Sequence, residues 1–140
     1  MAEAATALKA LLESDATISG VVAKRIYIST VPDKYKLPLI LMHSTSQNCE
    51  QNLDGNINGM FEEEFQLDVY ANDDQQIATV KNALWALLPS AERTVVVNGA
   101  NYVIKAITDF VVQAGLIKEP ELENCWRMIT DFKVWHRGGA

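Results

Sequence analysis

An α+β domain, a mostly antiparallel sheet packed on one face by a long helix and an N-terminal helix, is predicted by three observations. The stretches "EFQLDVYA" and "CWRMITDFKVW" alternate apolar and polar residues, the period of a half-buried strand. Residues Asp73 to Leu88 carry apolar side chains at helical spacing between strong start and stop signals. "TVVVNGANYVIKAITDFVVQ" reads as a strand, an Asn98-Gly99 turn and a longer strand, which makes neighbouring strands antiparallel. The chain has 140 residues, enough for a single domain spanning 1–140. A chain of that length buries roughly 70% of its unfolded surface and needs no staples.

The elements follow in order. Ala4 to Leu12 places Ala4, Leu8, Leu11 and Leu12 at helical spacing. Asp15 is a cap for a second short turn carrying Ile18, Val21 and Val22, weakened by Gly20. "RIYIST" to "PDKYKLP" reads as a connector with two prolines, and Pro38 disfavours helix at Leu37. "LPLILMHST" is short, apolar and bounded by Pro and Ser/Thr, the pattern of a buried strand. Ser46 to Met60 is rich in Asn and Gln and contains Gly55 and Gly59, so 46–60 is expected to be a flexible loop. In "EFQLDVYA", Phe65, Leu67, Val69 and Ala71 share one face, and Glu64, Gln66, Asp68 and Tyr70 the other. For the long helix, Asn72 is the expected N-cap, with Gln75 three residues on as in a capping box. Ile77, Val80, Leu84, Leu87 and Leu88 form its apolar face, and Pro89 ends it. In the last strand Trp126, Met128, Phe132 and Val134 face one way, and Arg127, Asp131, Lys133 and Trp135 the other. "HRGGA", 136–140, reads as a soft tail.

Composition narrows the function. A hydrophobic fraction of 49% with 21% charged residues is that of a soluble globular domain. The net charge of −6 argues against broad phosphate neutralisation on nucleic acid and against an anionic membrane surface as partner. The N-terminal segment carries Glu3 and Glu13 and lacks a basic n-region, so it does not read as a signal peptide. Cys49 and Cys125 match no metal or redox spacing. Two thiols fit a chain folded in a reducing cytoplasm, with pairing between them left open.

The most suggestive motif is "DGNINGMFEEEF". Asp54, Asn56 and Asn58 fall on alternate positions before Gly59, as in a calcium loop. Position 12, where an EF-hand needs a bidentate Glu, is Phe65, and the plainer reading is a Gly/Asn turn. Glu62, Glu63 and Glu64 could be imagined as an acid/base group, and Glu62 and Glu64 share a face of an extended segment. They read better as a solvated or partner-facing edge that resists unwanted strand pairing. His43 on the apolar strand reads as a hydrogen-bonded histidine, and His136 has no second histidine near it in sequence. No phosphate-cradling Gly loop is present, and no motif calls for a cofactor. Trp135, on the polar face of its strand, is a candidate contact residue; its alternative is cover by the N-terminal segment.

Taken in order, "ALKALLESDATISGVVAKRIYISTVPDKYKLPLILMHST", "FQLDVYANDDQQIATVKNALWALL" and "CWRMITDFKVWHR" resemble the phage tail-completion family. That family includes the head–tail joining proteins and tail terminators of long-tailed bacteriophages. The resemblance rests on the Ala/Leu-rich first helix, Asp15 with its apolar turn, Arg25 to Tyr27 and the Leu37-Pro38 strand entry. It extends to the "DVYA" strand end before a capped helix and the closing "DFKVWHR". It implies a non-enzymatic virion protein of the tail or neck, made in the host cytoplasm. Such a protein forms a hexameric ring on the tail tube, stops its polymerisation, and meets the head connector while DNA passes without specific binding. A closed ring requires a heterologous contact.

Three readings therefore stand: a ring-forming tail terminator, a small enzyme using Glu62–Glu64 or Cys49, and a calcium-dependent module using the acidic 54–64 segment. On the first, the expected contact residues are the Asn48–Asn58 loop, with Asn48, Asn52, Asp54, Asn56 and Asn58, together with Glu62, Glu63 and Glu64. Trp135 and Arg137 are second choices.

Overall fold

The computed structural model describes residues 4–51, 57–112, 117–119 and 125–136. Three helices and seven strands occur among them: α1 Ala4–Ser14, α2 Ala16–Val22, β1 Ile26–Ile28, β2 Leu39–Gln51, β3 Ile57–Ala71, α3 Asp74–Leu87, β4 Arg93–Val97, β5 Ala100–Val112, β6 Ile117–Glu119 and β7 Cys125–His136. The strands make one sheet in the order β1-β2-β3-β7-β5-β4, with β6 paired to β7. The α+β class holds. The sheet is mixed, because β1 runs parallel to β2 while the remaining pairs are antiparallel.

The alternation read from sequence sets the faces of the central pair. Phe65 lies opposite Phe132, and Leu67 opposite Thr130. Phe65, Leu67, Val69, Met128, Phe132 and Val134 are all buried on the inner face. The Phe65 and Phe132 rings stack at 5.9 Å. Ile77, Val80 and Leu84 of α3, and Leu8 and Leu12 of α1, bury their apolar stripe in the same core. Asp15 caps α2 as expected, its carboxylate accepting from Ile18 N at 3.0 Å. The Asn98-Gly99 turn joins β4 to β5 with both residues at positive φ, 50° and 81°, as a type I′ hairpin requires.

Four expectations are corrected. The cap of α3 is Asp73, not Asn72: Asp73 Oδ1 accepts from Gln76 N at 2.8 Å, and Gln76 Oε1 accepts from Asn72 N at 3.1 Å. Several adjacent residues are competent caps; the cap forms one residue later, and Gln76 reaches past it to the N–H of Asn72. The connector read over "RIYIST" contains β1, whose three residues pair with Ile40, Leu41 and Met42. The flexible loop expected at 46–60 is largely strand: Ser46, Gln47, Asn48 and Cys49 pair with Glu64, Glu63, Glu62 and Phe61, and Gln51 with Ile57. Residues 52–56 lie outside the described residues. The soft tail expected at 136–140 begins too early, because His136 is the last residue of β7, paired with Phe61 and Ile104.

Candidate functional site

The pleat splits the three glutamates of β3. Glu62 and Glu64 point to the outer face of the sheet, while Glu63 shares the inner side with Phe61 and Phe65. β3 lies between β2 and β7, so these residues sit on a central strand and not on the edge that was expected. Their charges meet cross-strand partners there.

On the outer face the hub is Lys133, opposite Glu64 on β7. Its Nζ lies 3.0 Å from Glu62 Oε1, 3.4 Å from Asp109 Oδ2 and 3.8 Å from Glu64 Oε1. Asp109 reaches it from a register shift in β5, at a positive φ of 54°. Hydrogen bonds from Lys133 to Glu62 and Asp109, reinforced by their charges, raise the lysine above its ordinary pKa. A lysine held protonated offers no neutral amine for nucleophilic chemistry. Further along, Arg127 Nη2 bridges Asp68 Oδ2 at 2.9 Å, and Gln66 Nε2 donates to Asp68 Oδ1 at 3.0 Å. The Arg127 guanidinium also lies 5.6 Å from the centre of the Tyr70 ring. Thr45, Glu64, Gln66, Asp109, Asp131 and Lys133 border an open polar depression of about 380 Å³.

On the inner side His136 Nε2 lies 2.9 Å from Glu63 Oε1, with both side chains largely withdrawn from solvent. Burial pushes the Glu63 carboxyl up, but hydrogen bonds from the His136 ring and the Ser44 hydroxyl outweigh it and hold the group below its ordinary 4.5. Gln47 Nε2 adds a long bond to the same oxygen at 3.4 Å. Phe61 stacks on the imidazole at 5.7 Å. This pair fastens the end of β7 to β3 at the rim of the core.

The other expected contact residues scatter. Asn48 is exposed on β2 opposite Glu62, and Asn58 belongs to β3. Asn52, Asp54, Asn56 and Arg137 lie outside the described residues. Trp135 is neither fully exposed nor under the N-terminal segment. It is half-buried on the outer face, its Nε1 donating to Thr108 Oγ1 at 3.1 Å. An EF-hand places a helix after its loop, and here that position is taken by β3. His43 is half-buried on β2 opposite Gln66. Cys125 is a buried thiol at the start of β7. Sequence reasoning passed over Asp109 and the Glu63–His136 pair. The second was detectable: Glu63 has the parity of Phe61 and Phe65, and His136 that of Val134.

No family model matches the chain, and no curated protein matches it either. Among solved structures, the chain is similar to a chain from the virion of a native gene transfer agent particle. The TM-score is 0.59 at 14% identity, over 97% of this chain and 96% of that one. The likeness is one of fold, end to end.

Proposed function

We propose that this chain is a structural protein of a phage-like virion. In this reading it closes into a hexameric ring at the top of the tail, ends tail-tube polymerisation and seats the head connector. The end-to-end likeness in fold to a chain of a gene transfer agent virion carries the reading. The character of the polar face supports it. The carboxylates around Lys133 are engaged by it and border an open polar depression, which suits docking better than a closed reaction chamber. The chain's net charge of −6 suits a lumen through which DNA slides, since like charges repel. Its partners are then copies of itself, the tail tube and the head connector. Among the described residues no helix is long and apolar enough to cross a membrane.

The test is size-exclusion chromatography with light scattering and negative-stain imaging, with and without purified tail tubes. The expected result is a six-fold ring, in solution or on tube ends, and tubes that stop growing once capped. Tubes that lengthen unchanged in the presence of excess protein would sink the reading.

A further inference from the structure

The outer face is not uniform across its width. On the β1 side, Val31, Tyr35 and Leu37 of the connector join Leu39, Leu41 and Tyr70 around an apolar depression of about 200 Å³. The segment beside it is basic: Lys34 and Lys36 flank Tyr35 in sequence and are exposed. On the β4 side, Glu64, Asp109 and Asp131 gather around Lys133, and Val111, opposite Asp131, is 54% exposed. The two sets lie at adjacent levels of the sheet. Leu41 pairs with Asp68, two residues from Gln66, and Gln66 pairs with Asp131.

We propose that a second copy of this chain docks head-to-tail across this face, the basic apolar depression of one copy receiving Val111 and the acidic Glu64–Asp109 surface of the next. The inference rests on the ring reading and names its contact. Charge favours contact between the unlike patches, Lys34 and Lys36 of one copy against Glu64 and Asp109 of the next, and ring closure, on the ring reading, makes that contact head-to-tail. The apolar floor then takes a valine that is 54% exposed among the described residues.

Two variants test it by native mass spectrometry: K34E/K36E and E64K/D109K. Each alone is expected to lose rings, or to need at least tenfold more protein to form them. Mixed in equal amounts they restore rings of even number, because alternating copies repair every contact. Wild-type levels of rings from either variant alone overturn the contact, as does a mixture that stays monomeric while both variants melt like wild type. Charge reversal beside Lys133 can cost E64K/D109K its fold. In that case K34E/K36E, outside that cluster, and Val111→Arg, which removes none of its bridges, decide it: each should melt normally and stay monomeric, and rings from either overturn the proposal. Wild-type protein that remains monomeric at every concentration and on tail tubes fails the ring reading itself. Wild-type rings with unaffected variants fail only the contact.

Discussion

Glu62 and Glu63 are neighbours in β3 and live in different chemistry. Glu62 stands on the outer face against Lys133, where water screens it. Glu63 turns inward to a histidine that is 2% exposed. The pleat alone makes this difference, and it separates what holds the fold from what is spare for a partner. An ion pair on the wet face is screened and contributes little. A hydrogen bond to a charged group at the rim of the core contributes about 1.5–3 kcal/mol.

The sharpest way to break the comparison is charge reversal at each position. Glu63→Lys places a cation against His136 and is expected to abolish cooperative melting or lower the midpoint steeply. Glu62→Lys should melt close to wild type. Equal losses at the two sites would show that burial does not distinguish them. His136→Ala comes next. It leaves Glu63 without its ring partner, for an expected loss of about 2–3 kcal/mol in urea unfolding, and Glu63→Gln in the same background should recover part of it.

The pH dependence sharpens the contrast further. The Glu63 carboxyl is held below 4.5 in the folded chain, so its contribution is complete above that value and is lost as the pH falls through the folded pKa. Wild type should therefore lose more stability than Glu63→Gln on acidification below that value. Parallel curves for wild type and Glu63→Gln would count against the inner pair. The smallest effect lies off the sheet: Asp73→Ala removes the cap of α3 and should cost about 1 kcal/mol, with Asn72→Ala costing less. The reverse order would return the cap to Asn72.

The same contrast explains what was legible in the sequence. β3, β7 and α3 could be read because their apolar residues repeat at the period of the element. The β4–β5 hairpin could be read because Asn98-Gly99 suits positive φ. The outer half of β2 could not. From Ser46 to Asn48 the residues are all polar, and the strand continues there because β3 supplies a ladder partner, a tertiary effect that local preference does not carry. β1 is too short for any period, and it is held from outside by Ile40 N donating to Arg25 O and Ser29 N donating to Met42 O. On the candidate site, Glu62, Glu64 and Lys133 followed from alternation. Asp109 did not, since it enters the cluster through a shift in register that no repeat announces. Reversing Glu62 together with Glu63 would mix a docking change with a folding change, because parity sends the second residue inward.

The central claim is that the outer sheet face, and not the helical layer, meets the neighbouring copy. Lysine acetylation footprinting of assembled against monomeric protein tests it most directly. Lys34 and Lys36 should lose reactivity on assembly while Lys81 of α3 keeps it. Protection of Lys81 with Lys34 and Lys36 still reactive would put the contact on the helices and contradict the claim.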